Sequence, residues 1–359
     1  MAGDFSHRTG RIPGVGIRAI GRYLPQRAVP NSELAARLPT SDAWIRERIG
    51  IESRRFAAGQ EWSSDLGRNA LLDACLQANV EPHELSMVVC GTYTPDHLLP
   101  HTAAAITNKA GIPHTPAFDV NSGGCPGSVF ALDVGRRYVQ SGEYPLVAVV
   151  LTDVSSRLFD PEDRTVGVIF GDAAACYLLE PARPDAGIGP VRLGNDSSRY
   201  WSVYAARESR RDRYDRPKVS GFGDNFTTMV GSEIREFVLG TVPDFVREFT
   251  AKAEVDFADI DLFAVHQANL NLVHGIMDAL DQPREKAPTN VERLGNTSGA
   301  SVPLVLREAV DSGRLRPGKQ ALLLAFGGGL TFGAALVRWC GPDDFLAPRQ
   351  LFETKDGQT

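Results

Sequence analysis

Cysteine is scarce and scattered in this chain. There are five in 359 residues, at positions 75, 90, 125, 176 and 340, and no two of them form a Cys-x-x-Cys pair. That excludes a disulfide framework and a cysteine-rich zinc site, and it reads as a reduced, cytoplasmic protein. Long apolar runs are missing too. A run such as residues 146–151 falls far short of the roughly 20 residues that span a bilayer. The N-terminal MAGDFSHRTG has no apolar core of a secretory signal. Positive charge is not in excess, with 38 basic against 44 acidic residues and a net charge of −6. Nucleic acid is therefore not the expected partner, and neither is a membrane. No Gly-x-Gly-x-x-Gly opens a long helix, which argues against a dinucleotide fold, and no motif points to a metal.

What remains is an ordinary globular composition, 43% apolar and 23% charged. The length suits one large α/β domain or two closely packed halves. Residues 1–13 read as a polar leader, and order is expected from Val15 onward. Asn31 or Ser32 is placed to cap a first helix, and Thr40 or Ser41 a second one containing Trp44, Ile45 and Ile49. Helices are expected over 62–78, 101–110, 126–141, 231–253, 269–280 and 300–311. Strands are expected at 85–90, 118–120, 146–151, 174–179, 262–265, 320–326 and 333–339, several of them nearly free of charge, as in sheets covered on both faces. Residues 196–222 form a polar excursion. A faint repeat pairs 146–151 and the following 170–175 with 322–326 and the following 331–336. The expected halves are 1–182, carrying a nucleophilic cysteine, and 183–343, carrying a histidine and an asparagine, with 344–359 as a polar tail.

Four centres carry the chemistry. In Phe118-Asp119-Val120-Asn121-Ser122-Gly123-Gly124-Cys125-Pro126, a strand leads through a tight turn to a helix with Pro126 at its first position. Cys125 then stands at the positive end of a helix, where a thiolate is favoured and the pKa is expected to fall. A structural cysteine has no need of that arrangement. In Leu262-Phe263-Ala264-Val265-His266-Gln267-Ala268-Asn269, a strand ends at His266, the position where α/β proteins present functional side chains. The run Gly295-Asn296-Thr297-Ser298-Gly299-Ala300-Ser301 brings small polar residues in front of another helix. Phe326-Gly327-Gly328-Gly329 suits a turn whose backbone N–H faces a site, as in an oxyanion hole.

In that order, and with Thr40-Ser41-Asp42-Ala43-Trp44-Ile45, Arg48-Ile49-Gly50-Ile51, Asp160-Pro161-Glu162-Asp163-Arg164 and Phe170-Gly171-Asp172, the chain resembles the β-ketoacyl-acyl carrier protein synthase III family of the thiolase superfamily. The resemblance implies a thiolase fold, with duplicated α/β halves in a five-layer αβαβα sandwich. It implies a homodimer that needs no cofactor, the CoA thioester being a substrate. It further implies that Cys125 takes an acyl group from an acyl-CoA and condenses it with a malonyl thioester, with carrier protein as a further partner. His266 and Asn296 would stabilise the malonyl carbonyl, and the N–H groups of Cys125 and Gly328 the oxyanion. Thr40, Trp44, Arg48, Arg164, Gly231 and Asn269 match positions that hold CoA, and Leu99 a pocket-limiting position supplied across the dimer. Departures are also present. Polar, roomier residues precede Cys125; Asn271 stands where an arginine grips carrier protein; Arg235 replaces an aromatic; and Leu99 replaces a phenylalanine. They point to a longer or branched acyl group and to specialised metabolism. Acyl transfer to a hydroxyl, amine or carrier thiol without condensation is the rival activity, with His266 as general base.

Overall fold

The structure is a computed structural model that describes residues 14–121, 124–160, 162–205 and 226–346. The leader, much of the 196–222 excursion and most of the tail lie outside the described residues, as do Ser122, Gly123 and Pro161.

Charge-free stretches form the strands. The first sheet contains β1 (Gly14–Tyr23), β2 (Met87–Gly91), β3 (Ala117–Val120), β4 (Val147–Asp153) and β5 (Ala173–Ala182), in the spatial order β1-β5-β4-β2-β3. The second contains β6 (Gly187–Asn195), β7 (Leu262–Val265), β8 (Gln320–Gly327) and β9 (Thr331–Arg338), in the order β6-β9-β8-β7. The two orders match. In each sheet the first strand runs antiparallel to the last, the last antiparallel to the one before it, and that one parallel to a shorter neighbour. The faint repeat in the sequence is the pair β4–β5 set against the pair β8–β9.

Alternation along the strands sorts the layers. Val147, Val149 and Leu151 face the centre of the molecule, where they meet α4 (Gly127–Gln140) and α7 (Ser301–Asp311), and Leu323 and Ala325 reach the same helices from the second sheet. Ala148 and Val150 face the other way, onto α2 (Ser63–Ala78) and α3 (Thr102–Lys109). Leu322 and Leu324 face α5 (Val242–Lys252) and α6 (Leu270–Ala279). The result is the five-layer αβαβα arrangement of a thiolase fold. The short helix α1 (Asp42–Ile49) lies to one side, packed with Ile51, Val168 and Val291.

Three local expectations change. Asn31 lies within a short helix, Asn31–Ala35, rather than capping one, because its amide is spent on the Ile51 carbonyl (2.6 Å) and Asp42 (2.9 Å). Ser41 does cap α1, accepting from Trp44 N at 3.1 Å. The expected 231–253 helix is interrupted by a π turn, Phe237–Thr241, between Gly231–Glu236 and α5. Pro126 stands one position earlier than expected, at the N-cap of α4.

The first sheet and α2 pack at a distance that only glycine allows at Gly21. A Cβ there would lie 2.0 Å from Ala70 O and 2.3 Å from Ala74 N, both backbone atoms of α2. Gly21→Ala is expected to lower stability by about 1–3 kcal/mol, the cost of overpacking a core. A urea denaturation midpoint equal to that of the parent would contradict this packing.

Candidate active site

The two central helices begin at the same end of the molecule, and each is preceded by a chemically active segment. Ahead of α4, Gly124 adopts a left-handed conformation (φ 77°), and its carbonyl accepts from Gly127 N at 2.9 Å. This turn presents Cys125. Ahead of α7, Asn296 is pinned by its backbone: its N–H donates to Ile169 O and its carbonyl accepts from Gly171 N, both at 2.9 Å. Its Oδ1 accepts from Ser298 N at 2.9 Å, which leaves the amide Nδ2 as the group to offer a ligand.

His266 follows the last residue of β7, and its N–H continues the ladder to Leu324 O at 2.7 Å. Its ring meets Phe326 edge-on, with centroids 5.2 Å apart. Nδ1 lies 2.7 Å from Ser301 Oγ, in the first turn of α7. Ser301 Oγ also accepts from Gln267 N at 3.4 Å, which fixes the hydroxyl beside the ring. Burial depresses the His266 pKa to about 3, so the ring is a neutral donor at physiological pH.

The glycine run closes the site. A Cβ on Gly327 would lie 2.6 Å from Pro126 Cδ and 2.8 Å from Cys125 Cβ, so the end of β8 lies directly against Cys125 and Pro126. Cys125, His266, Asn296 and Gly327–Gly329 all line one cavity of about 650 Å³. Its other walls are largely apolar, with Val120, Phe130, Phe170, Met229, Ile234 and Phe326 among them.

Cys125 departs from expectation in its acidity. The residue keeps some exposure through the cavity mouth, but its sulfur is enclosed, and burial pushes the thiol from an ordinary 9 up to about 12. Ser298 and Asn296 pull the other way. A helix N-terminus contributes at most about 2 kcal/mol, roughly 1.5 pH units, so burial outweighs it here.

The expected CoA residues lie apart from this cavity. Arg164 stacks over Trp44 with its guanidinium carbon 5.3 Å from the ring centroid, and it donates to Pro39 O at 2.9 Å. Thr40 is adjacent, its hydroxyl buried and unpartnered. Arg48 and Gly231 are exposed. Asn269 is the N-cap of α6, its Oδ1 accepting from Leu272 N at 2.9 Å. Asn271 donates to Arg48 O at 2.8 Å and so ties α6 to the end of α1. Leu99 is 86% exposed and does not line the cavity of its own chain.

The sequence reading quoted Ser301 and Phe326 within their motifs without seeing that both flank the histidine ring, and it missed Tyr93 altogether. Tyr93 follows the carboxyl end of β2, the signal that could have found it. Its ring takes the space above Gly124, where a Cβ would come within 2.6 Å of Cδ1. The ring thus fills the space that the missing side chain of Gly124 leaves.

Comparison with known proteins gives a consistent picture. Residues 118–197 match the family described as 3-oxoacyl-[acyl-carrier-protein (ACP)] synthase III, and residues 250–339 match its C-terminal part. The β-ketoacyl-[acyl-carrier-protein] synthase III of Deinococcus deserti is 36% identical over 343 residues, covering 96% of each chain. That of Paramagnetospirillum magneticum is 39% identical, over 89% of this chain and 97% of its own. Among solved structures, the β-ketoacyl-[acyl carrier protein] synthase III of Thermus thermophilus superposes with a TM-score of 0.85 at 36% identity, covering 91% of this chain and 99% of that one. The priming β-ketosynthase of a polyketide biosynthetic pathway superposes with 0.86 at 30% identity, covering 94% and 99%.

The raised thiol pKa has a direct readout. The rate of Cys125 alkylation by iodoacetamide should climb about tenfold per pH unit from pH 7 to 10, because only the thiolate reacts. A plateau below about pH 8 would show that the helix N-terminus prevails over burial.

Proposed function

The chain belongs to the 3-oxoacyl-[acyl-carrier-protein] synthase III family of condensing enzymes, and from that premise we propose that Cys125 receives an acyl group from an acyl-CoA and condenses it decarboxylatively with a malonyl thioester. The observation that carries this reading is the convergence of Cys125, the His266 donor and the Asn296 amide on one apolar cavity.

The chemistry follows in two halves. Sγ of Cys125 attacks the thioester carbonyl carbon, and the N–H groups of Cys125 and Gly328 hold the developing oxyanion. The tetrahedral intermediate collapses to an acyl-cysteine, and the thiol proton leaves with the departing CoA sulfur. Malonyl thioester then enters, and loss of carbon dioxide places negative charge on its thioester carbonyl oxygen. His266 Nε2–H and Asn296 Nδ2–H donate to that oxygen. The α-carbon attacks the acyl carbonyl, expelling the cysteine sulfur and releasing a β-ketoacyl thioester. Phe326, Phe170 and Met229 keep water from the carbanion. With Ser301 donating to Nδ1, Nε2 carries the ring proton, and that tautomer favours condensation over plain acyl transfer because Nε2 then has no lone pair with which to act as base.

In this reading, Trp44, Arg164 and Thr40 receive the nucleotide end of CoA, the indole and guanidinium offering stacking faces. Arg48 adds charge to that surface, and Gly231 and Asn269 border the approach to the cavity. Carrier protein delivers the malonyl group. The chain acts as a homodimer, supported by the 72% and 86% exposure of the adjacent apolar Leu98 and Leu99. Likeness to a priming ketosynthase and the altered residues before Cys125 support a role in polyketide or other secondary metabolism. No helix among the described residues is long and apolar enough to cross a membrane.

His266→Ala and Asn296→Ala should each slow carbon dioxide release by about 10²–10³-fold while leaving formation of the Cys125 acyl-enzyme intact. Intact mass and product analysis on the same reaction separate the halves. Variants that lose acylation but retain malonyl decarboxylation would overturn these roles.

A further inference from the structure

Resting on the reading of Cys125 as the acyl carrier, we propose that Tyr93 is the specificity-determining wall of the acyl pocket and restricts this enzyme to short acyl groups. Tyr93 lines the same cavity as Cys125. It is held at both ends. Its N–H donates to Asp153 Oδ1 at 2.9 Å, and its phenol is hydrogen-bonded to Ser155 Oγ at 2.7 Å, with Ser155 fully buried. Asp153 is itself fixed by Thr92 and Thr94, whose hydroxyls lie 3.0 and 3.1 Å from the same oxygen. The apolar residues lining the cavity, such as Phe130, Met229 and Ile234, have no polar end to anchor and can change rotamer to admit a chain. A ring tethered through both backbone and hydroxyl cannot swing aside.

The ring's position relates it to the nucleophile. Its Cδ1 lies where a Cβ on Gly124 would otherwise project, and Gly124 immediately precedes Cys125. Glycine at 124 and tyrosine at 93 are therefore complementary: the missing side chain of one is filled by the ring of the other. The ring therefore bounds the cavity that an acyl chain on Sγ would enter, and it limits how far that chain can extend. Leu99, the residue singled out from the sequence for chain length, stands on the surface and does not reach this wall within one chain.

The test compares the full-length parent with Tyr93→Thr and Tyr93→Phe, using Cys125→Ser as the labelling control. Two probe series are applied. S-alkyl methanethiosulfonates from methyl to decyl react with Cys125 without any CoA recognition; acyl-CoAs from acetyl to decanoyl report the natural reaction. Intact mass gives the rate for each probe. Tyr93→Thr should raise the decyl-to-methyl and decanoyl-to-acetyl rate ratios by about tenfold or more, the discrimination an apolar pocket exerts. Tyr93→Phe, which keeps the ring but loses its tether to Ser155, should raise both ratios by less than Tyr93→Thr does. Because each ratio is internal to one variant, a general loss of activity does not imitate the effect. If Tyr93→Thr does not fold, Tyr93→Leu removes the ring with less loss of volume. Ratios unchanged in the trimmed variant overturn the role of Tyr93. A shifted thiosulfonate ratio in an enzyme that no acyl-CoA acylates would instead uphold the Tyr93 wall and overturn the acyl-carrier reading of Cys125.

Discussion

The enclosure of α4 and α7 between the two sheets is the constraint on which the rest of the molecule depends. Both faces of each sheet are apolar, so each sheet must be covered twice, and the inner covering is shared. Sharing places the N-termini of both central helices at one end of the sandwich. The segments ahead of those helices carry Cys125 and Asn296, and the carboxyl ends of β7 and β8 bring His266 and the glycine run to the same place. The site is thus a consequence of layer packing, assembled from segments far apart in the chain.

Burial gives that site its electrostatic character. The same enclosure that raises the Cys125 thiol depresses the His266 imidazole, so both groups are neutral before substrate binds. Charge then appears only in the transition states, where fixed donors are aimed at it and little water competes. A thiolate formed in advance would bring a standing charge into an apolar cavity. The neutral resting state also makes the histidine tautomer decisive, and Ser301 is hydrogen-bonded to the ring at Nδ1.

Much of this was legible in the sequence. The strand–glycine–cysteine–proline order around Cys125, the strand ending at His266 and the small polar run at Asn296 each carry a local signature, and the topology brings them together. The repeat was legible because β4–β5 and β8–β9 share strand–turn–strand composition. The acidity of Cys125 was not, since a helix start is visible in sequence whereas enclosure by three distant segments is not. The cap that Asn269 makes and the tie that Asn271 makes were not legible, because an asparagine that caps a helix or ties two together has the same sequence context as one that does neither. Tyr93 was hidden for a further reason: its meaning lies in a vacancy at Gly124, 31 positions along the chain.

The most direct test of the central claim is to incubate the purified chain with a panel of acyl-CoAs and a malonyl thioester, then read protein mass and small products together. The account predicts an acyl adduct on Cys125, release of carbon dioxide and a β-ketoacyl product. A Cys125 adduct whose acyl group passes to an alcohol, amine or carrier thiol, with no carbon dioxide released, would contradict condensation. The absence of an adduct with every thioester would contradict the cysteine mechanism itself.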